Sequence, residues 1–317
     1  MSVVRIATRG SELALTQARY VAGRIEAELG RATELVVLKT TGDRIQNVSL
    51  AKIGGKGLFV KEIEEALLDG RADVAVHSAK DLPAALAPGL RLASFPERAD
   101  ARDAWVARDG ATRLGDARRG ARVGTGSTRR TAQLLALRPD IEVVPLRGNV
   151  PTRLGKLESD DLDAVILACA GLDRLGLGDR ITERIDTKVM LPAVCQGMLA
   201  LETRDDDALG DDLAALDVPG HGALVAAERG FLARLEGDCT VPVAAHAALE
   251  QAGAWLSLEV LLCSTDGTER VHAREDGPVE TAAELGRRLA ADVLERGGRD
   301  ILDALREADA GGPGPAT

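Results

Sequence analysis

Apolar and polar residues along the chain follow two periods, one of about two residues that is typical of strands and one of about 3.6 residues that is typical of helices. Over the first 95 residues the two patterns alternate. Ser11 stands where a helix-capping hydroxyl is expected, and Gly30 stands where that helix should end. The alternation predicts a parallel sheet with helices on its faces. The predicted strands are 3–8, 33–40 and 72–78, and the predicted helices are 12–29 and 58–70.

The alternating pattern repeats once and then changes. A second α/β unit is predicted between residues 103 and 171. From residue 221 onward a helix precedes three strand-like runs and a long amphipathic helix, an order that indicates a small α+β domain. The predicted strands are 103–108, 121–127, 141–148, 163–171, 241–250, 255–264 and 269–275, and the predicted helices are 127–138, 221–235 and 280–306.

The amino-acid composition argues against two classes of binding partner, nucleic acids and membranes. Hydrophobic residues make up 45% and charged residues 28% of the 317 residues, as in globular proteins. Aromatic residues make up only 2%, which argues against stacking platforms for single-stranded nucleic acid, and the net charge of −10 weighs against nucleic acid and anionic membranes. Residues 1–10 lack a signal-peptide core, and no apolar run could span a membrane. We therefore expect a cytoplasmic protein that binds neither nucleic acid nor membranes.

Cysteine, histidine and lysine limit the chemistry further. The four cysteines form no CxxC pair, and the four histidines show no zinc-binding spacing, so we expect reduced cysteines and no metal site. Only seven of the 40 basic residues are lysine. Three of these lysines lie in two motifs: Lys52 and Lys56 lie in a glycine-rich segment, and Lys80 lies at the end of a predicted strand.

The first of these motifs is AKIGGKG (51–57), in which three glycines accompany Lys52 and Lys56. It lacks the Walker A pattern of nucleotide-binding loops. We interpret it as a lid loop that brings backbone N–H groups and ammonium charge close to an anion. A flexible surface turn is the alternative.

The second motif is VAVHSAKD (74–81), a buried strand that ends in His77, Ser78, Lys80 and Asp81. In open α/β sheets, ligands bind at the carboxyl ends of the strands. An aspartate beside a lysine in such a crevice can stay ionised and stabilise a cation as it forms. The alternative is that Asp81 caps the following turn while Lys80 is solvated.

Basic residues recur after strands, which a merely solvated surface does not explain. In VGTGSTRR (123–130) a strand leads through Thr125 to Ser127 at the start of a helix, where free backbone N–H groups bind anions. Arg129 and Arg130 add forked donors that suit carboxylates. Further basic residues follow strands or lie on the next helix: Arg9, Arg147 and Arg153.

Cys239 lies in the turn EGDCTVP (236–242) and should therefore be reachable by solvent. A buried structural cysteine would lie inside an apolar run, as Cys169 does. Cys239 is a candidate for covalent chemistry, and a structural role is the alternative.

Together these motifs closely resemble the porphobilinogen deaminase family, also called hydroxymethylbilane synthases. The resemblance covers nearly the whole chain and implies two α/β domains like those of a hinged periplasmic binding protein, followed by a small α+β domain. The matching segments are RIATRGS (5–11), LAKIGGKGLFVKEIE (50–64), VAVHSAKDLP (74–83), LPAVCQG (191–197) and LEGDCTVP (235–242). The implied domains are 1–98 with 197–216, then 99–196, then 217–311, and we expect the tail 312–317 to be disordered.

The resemblance also implies the chemistry. Cys239 would hold a dipyrromethane cofactor through a thioether, and the enzyme would build this cofactor from its own substrate. Four porphobilinogen molecules would then be joined head to tail, each losing ammonia, before water releases the linear tetrapyrrole. Asp81 would be the catalytic carboxylate that stabilises the cation left when ammonia departs. A monomer is the family expectation.

The other polar residues are assigned by the same resemblance, since each pyrrole carries an acetate and a propionate that need cationic partners. The implied cofactor-binding residues are Ser78, Lys80, Thr125, Ser127, Arg129, Arg130 and Arg147. The implied substrate-binding residues are Arg9, Ser11, Gln17, Arg153, Arg174 and Gln196. Lys52 and Lys56 would lie on the lid loop.

Three positions depart from the family pattern: Ala79 where methionine is frequent, Gly126 where serine is common and Cys195 where glycine is usual. Gly126 removes one hydroxyl near the cofactor, so we do not expect a side-chain ligand there. Cys195 adds a second thiol, but the pattern favours Cys239 as the attachment point.

Two other functions stay open at this point. A hinged binding protein without chemistry would share the fold, although Cys239 would then have no task. An inactive or regulatory homologue is disfavoured because Asp81 is intact beside Lys80.

Overall fold

The structure, a computed structural model, describes residues 3–40, 60–235 and 241–310. Their strands form three separate sheets, two of five strands and one of three. The strands are β1 (Val4–Arg9), β2 (Thr33–Leu38), β3 (Val74–Ser78), β4 (Leu90–Ser94), β5 (Asp103–Ala107), β6 (Arg122–Thr125), β7 (Glu142–Pro145), β8 (Ala164–Ala168), β9 (Glu183–Ile185), β10 (Leu199–Arg204), β11 (Val243–Glu250), β12 (Trp255–Cys263) and β13 (Arg270–Pro278). The helices are α1 (Glu12–Leu29), α2 (Lys61–Leu68), α3 (Thr128–Leu137), α4 (Val150–Ser159), α5 (Cys169–Arg174), α6 (Leu209–Leu213), α7 (His221–Leu235), α8 (Ala282–Val293) and α9 (Arg299–Ala310).

The two five-stranded sheets are built to one plan. The first has the order β2-β1-β3-β10-β4 and the second the order β7-β6-β8-β5-β9. In each sheet three neighbouring strands are parallel, and the fourth, β10 or β5, runs antiparallel to both of its neighbours. These two antiparallel strands are also the places where the chain enters the second sheet and returns to the first. We call the first sheet with its helices the first unit and the second sheet with its helices the second unit.

Two crossover segments, 95–102 and 186–198, connect the first and second units and run side by side. Arg98 and Met198 form an isolated antiparallel bridge between them. The N–H of Ala99 donates to the carbonyl of Gly197 at 3.1 Å. Gly197 has φ +87°, and a Cβ there would lie 2.4 Å from the carbonyl oxygen of Ala99, so this close approach requires glycine.

The three-stranded antiparallel sheet β11-β12-β13, with α7, α8 and α9, forms a third unit. Its core is shared with the rest of the molecule. Ala79 and Leu82, which follow β3, are buried in the same apolar cluster as Phe231 of α7 and Leu258 of β12. The third unit is therefore packed directly against the back of the segment in which the catalytic carboxylate was predicted.

Two predicted elements need correction. The helix predicted at 280–306 is broken, because Gly297 has φ +105° and separates α8 from α9. The strand predicted at 163–171 ends at Ala168, and Cys169 instead begins α5. The caps were predicted correctly at α1, where the Ser11 hydroxyl accepts from the N–H of Ala14 and Gly30 adopts a left-handed conformation. Among the described residues, no helix has the length and apolar character that crossing a membrane requires.

Glu228 on α7 joins the third unit to both crossover segments. Its carboxylate is 1% exposed and accepts from Arg98 at 2.9 Å, from the N–H of Ala247 at 2.9 Å and from the N–H of Cys195. Arg98 also donates to the carbonyl of Ala247 at 2.8 Å. A buried carboxylate with three donors is stable only while all of them stay in place.

We therefore predict that Glu228→Ala lowers the free energy of unfolding by about 3–5 kcal/mol, because it leaves the Arg98 guanidinium buried without its counter-charge. Urea unfolding followed by circular dichroism measures the change. The matched control is Glu275→Ala, which removes an exposed ion pair to Arg288 and should cost less than about 1 kcal/mol. Equal midpoints for the two variants would contradict this role of Glu228.

Candidate functional site

The segment that follows β3 presents its side chains alternately to two environments. Ala79 and Leu82 are 2% and 5% exposed and face the core shared with the third unit. Ser78, Lys80 and Asp81 line hollows on the opposite side, and the single 3₁₀ turn Ala79–Asp81 sets this division. The predicted catalytic carboxylate is thus exposed to the cleft on a turn that is anchored from behind.

His77, the first residue of the predicted polar group, is bound to a partner inside the first unit. Its ring is buried and its Nε2 lies 2.9 Å from the carboxylate of Glu202 on β10. Side chains alternate across a strand, so the ring of His77 and the hydroxyl of Ser78 point to opposite faces of the sheet. His77 nevertheless lines the same hollow as Ser78 and Asp81, with its ring nitrogen paired to Glu202.

Two adjoining hollows form a cleft between the first and second units, and both are lined by Leu13, Gln17 and Ser78. The cleft brings together predicted residues that are far apart in sequence. The hollow between the units is also lined by Lys80, Arg130, Arg153 and Arg174, and the hollow within the first unit is also lined by Arg9, Ser11 and Asp81.

A buried carboxylate that the sequence did not single out organises the arginines. Asp103, at the start of β5, is fully buried and lies 2.7 Å from Arg129 and 2.7 Å from Arg130. Burial acts to raise the pKa of Asp103, but the two guanidiniums outweigh it and hold that pKa far below the usual range. Asp103 is therefore ionised whenever the protein is folded at neutral pH.

Both arginines are also fixed by backbone carbonyls. Arg129 donates to the carbonyl of Leu191 at 2.8 Å, and Arg130 donates to that of Ile166 at 3.0 Å. The side chain of Gln133 on the same helix donates to Leu191 at 3.0 Å and accepts from its N–H at 2.7 Å. Helix α3 is consequently tied to the crossover segment and to the second sheet.

Gln196 connects this cluster to the predicted catalytic segment. Its Oε1 accepts from the Lys80 ammonium at 3.3 Å, and its Nε2 donates to Asp103 at 3.0 Å and to the carbonyl of Ala101 at 2.7 Å. The amide is 1% exposed. One side chain of the crossover thus holds Lys80 of the first unit and Asp103 of the second in fixed relation.

The remaining cations of the cleft repel one another. Burial lowers the pKa of Lys80 to about 8, against the attraction of Asp81. Burial, together with the charges of Arg130 and Arg147, lowers the pKa of Arg153 to about 10. Burial also lowers the pKa of Arg147, which makes no side-chain hydrogen bond or ion pair with any described residue. Such crowded cations favour a bound anion.

Several predicted ligands already have partners within the protein. Ser127 caps α3 by accepting from the N–H of Arg130 at 3.4 Å, and Thr125 accepts from the N–H of Ser127 at 3.3 Å. Gln17 donates to the Ser78 hydroxyl at 2.8 Å. Roles for these side chains in binding cofactor or substrate stay predictions.

Arg174 is tied to the crossover segments, since it donates to the carbonyl of Gly197 at 2.7 Å and to Glu97 at 3.2 Å. Gly126 fits its place for a steric reason. A Cβ there would lie 2.5 Å from the carbonyl oxygen of Leu146, so a serine would require the backbone to shift.

Three predicted residues, Lys52, Lys56 and Cys239, lie outside the described residues. Cys195 is described and is 1% exposed, and burial raises the pKa of its thiol well above the usual range. The second thiol near the site is therefore not an accessible nucleophile. Within residues 3–40, 60–235 and 241–310, no group of three His, Cys, Asp or Glu side chains is arranged to hold a metal ion.

Comparisons with known proteins point to one family. The family model described as "Porphobilinogen deaminase, dipyromethane cofactor binding domain" matches residues 4–211, and the one described as "Porphobilinogen deaminase, C-terminal domain" matches residues 223–295. The porphobilinogen deaminase of Trichlorobacter lovleyi is 50% identical over 96% of this chain and 97% of its own length. That of Geobacter metallireducens is 48% identical over 94% of this chain and 93% of its own length.

Two of the solved structures to which this chain is similar are periplasmic proteins. The BvgS periplasmic VFT2 domain of Bordetella pertussis is 18% identical, with a TM-score of 0.40, over 68% of this chain and 86% of that chain. An ABC transporter periplasmic substrate-binding protein of Coxiella burnetii is 15% identical, with a TM-score of 0.42, over 68% of this chain and 93% of that chain. TM-scores of 0.40 and 0.42 do not by themselves establish the fold. The strand orders of the three sheets confirm two matching α/β units and a small α+β unit.

Lys80 should titrate near pH 8 rather than at its ordinary 10.5. Asp103→Asn should lower the Lys80 pKa further, because it removes a negative charge that favours the ammonium. Nuclear magnetic resonance of ¹³C-methylated lysines would follow the titration, and the spectrum of Lys80→Arg would assign the signal by its loss. A Lys80 pKa that stays near 10.5 in the native protein, or that rises in Asp103→Asn, would contradict this electrostatic account.

Proposed function

The chain belongs to the porphobilinogen deaminase family, and from that premise we propose how its cleft residues share the work of the reaction. As a hydroxymethylbilane synthase of tetrapyrrole biosynthesis, it condenses four porphobilinogen molecules with loss of ammonia and releases hydroxymethylbilane by hydrolysis. One observation carries the assignment of the site: an exposed carboxylate, Asp81, adjoins a group of cations that carries more positive charge than the neighbouring carboxylates balance.

The donors in the cleft fit the dipyrromethane cofactor of the family, because that group carries several carboxylates. Lys80, Arg147 and Arg153 have no carboxylate within ion-pair distance among the described residues. Lys80 and Arg147 would bind the acetate and propionate groups of the cofactor, and Arg153, which is one of the proposed substrate-binding residues, would bind those of the substrate. When bound, the cofactor supplies a nucleophilic pyrrole carbon to which the first substrate is joined. We assign its thioether to Cys239.

Asp81 is the proposed catalytic residue. The substrate's aminomethyl group is protonated at neutral pH, and loss of ammonia breaks its carbon–nitrogen bond. The electron pair leaves with the nitrogen, and the positive charge of the ammonium is transferred to the methylene-pyrrole. A carboxylate that is already in place stabilises this cation without having to reorganise, and it also accepts from the pyrrole N–H. Its position on a turn anchored by Ala79 and Leu82 supports this role.

The other assignments follow from location. Arg130 and Ser78 line the cleft beside Lys80 and would meet the cofactor, whereas Asp103 positions the Arg130 guanidinium from behind. The remaining proposed cofactor-binding residues are Thr125, Ser127 and Arg129, the proposed substrate-binding residues are Arg9, Ser11, Gln17, Arg174 and Gln196, and the proposed lid residues are Lys52 and Lys56.

The proposed domains follow the three sheets. Domain 1 comprises residues 1–98 and 197–216, domain 2 comprises 99–196, and domain 3 comprises 217–311 and carries Cys239. The strands of each sheet fall within these limits, which supports the division. We further propose that the enzyme acts as a cytoplasmic monomer on porphobilinogen alone, without nucleic-acid or membrane partners.

Replacing Asp81 tests the proposal. Asp81→Ala should lower kcat for ammonia release from porphobilinogen by about 100-fold or more, because the forming cation loses its counter-charge. The kcat of Asp81→Glu should lie between that of the wild type and that of Asp81→Ala, because glutamate keeps the negative charge but moves it by one methylene group. Ammonia and hydroxymethylbilane are both measured, and circular dichroism checks the fold.

The matched control is Asp206→Ala, which removes an exposed aspartate of the first unit and should leave kcat within twofold of the wild type. If Asp81→Ala also stayed within twofold, the role of Asp81 would be wrong. If the wild-type protein released no ammonia, the function itself would be wrong.

A further inference from the structure

The turn between β12 and β13, residues 264–269, touches the middle of helix α3. Gly267 at the tip of this turn is buried, although Asp266 and Thr268 on either side are exposed. A Cβ on Gly267 would lie 2.0 Å from the carbonyl oxygen of Ala132 and 3.0 Å from the Cβ of Ala136. The backbones of the third unit and of α3 are therefore in direct contact.

The turn itself is held firmly by its own hydrogen bonds. Ser264 donates to Asp266 at 2.6 Å, the N–H of Thr268 donates to the same carboxylate at 3.1 Å, and the N–H of Ser264 donates to the carbonyl of Glu269 at 2.9 Å. The Ser264 and Thr268 donors lower the pKa of Asp266 to about 2, so this carboxylate stays ionised and keeps its partners. A turn with these internal hydrogen bonds keeps its shape where it packs against the helix.

Helix α3 is also held by the cluster around Asp103. Arg129 lies one turn before Ala132 and pairs with Asp103, and Gln133 exchanges two hydrogen bonds with Leu191. The contacts with the turn and with this cluster together fix where the helix lies, and with it the positions of the guanidiniums near its start.

We propose that the turn 264–269 is a positioning element of the reaction, which fixes α3 and thereby Arg129 and Arg130 relative to the third unit. The inference rests on the proposed function, in which the third unit carries the covalent attachment point and α3 carries cations for carboxylates. A ligand held at both places needs a constant distance between them. The contact of Gly267 with Ala132 fixes the distance between the third unit and α3 directly, independently of the crossover segments.

The test compares two glycines in the two turns of the same sheet. Gly267 and Gly253 both have positive φ, +72° and +92°, so alanine strains the backbone at either place. Only Gly267 has a neighbour, since nothing lies within 4 Å of a Cβ added at Gly253. A difference between Gly267→Ala and Gly253→Ala therefore reports the contact with α3 rather than backbone strain.

We expect Gly267→Ala to raise KM for porphobilinogen about tenfold with a smaller fall in kcat, because the carboxylate-binding guanidiniums are displaced by a fraction of an ångström to one ångström. Hydrogen–deuterium exchange should be faster over residues 128–137 in the same variant. Gly253→Ala should leave both KM and the exchange of this helix unchanged. Exchange is a readout that does not require the cofactor to be loaded.

Equal KM values and equal exchange of α3 in the two variants would overturn the inference. If Gly267→Ala did not fold, Ala136→Val would replace it, since it enlarges the same contact from the helix side and should give the same pattern. A wild-type protein that released no ammonia would refute the proposed function instead, and the exchange comparison would still decide whether the turn positions α3.

Discussion

The cleft depends on one buried ion cluster, in which a single carboxylate faces two guanidiniums. Asp103 neutralises only part of the charge of Arg129 and Arg130, and Lys80, Arg147 and Arg153 stand nearby. Burying charge is tolerated only when each group is paired and hydrogen-bonded. The carbonyls of Leu191 and Ile166 satisfy part of this requirement, although Nε of Arg129 is buried without a hydrogen-bond partner among the described residues. Arg130 lines the cleft, where a substrate that carries carboxylates can balance the remaining positive charge.

The same cluster accounts for the way the units meet. Gln196 links Asp103 to Lys80, one residue before the proposed catalytic carboxylate of Asp81. Behind that segment, Ala79 and Leu82 pack into the core of the third unit, and Glu228 of that unit binds both crossover segments. The turn Ala79–Asp81 is therefore held by Gln196 through Lys80 and by the core of the third unit through Ala79 and Leu82.

Local features of the sequence predicted much of this arrangement. Ser11 and Gly30 mark the ends of α1 because capping hydroxyls and left-handed glycines act within a few residues. The break at Gly297 was missed because the apolar period continues on both sides of it, so only the backbone angle reveals it. The partner of His77, Glu202, could not be predicted because it lies on a strand that returns from the second unit, 125 residues away.

Asp103 shows most clearly why part of the site escaped prediction. An aspartate at the start of a strand usually faces solvent, and its partners Arg129 and Gln196 lie 26 and 93 residues away. The sequence could identify the arginines as carboxylate ligands by type, but not the buried acid that orients them. Similarly, nothing in the turn 264–269 indicates that its glycine meets α3, because that contact depends on how the third unit packs.

The most direct test of the central claim is the intact mass of freshly purified protein, measured beside Cys239→Ser. The account predicts that the native protein is heavier than its bare chain by two linked pyrrole units and that the variant is not. A native protein with the mass of the bare chain, unchanged after incubation with porphobilinogen, would contradict a dipyrromethane carried on Cys239.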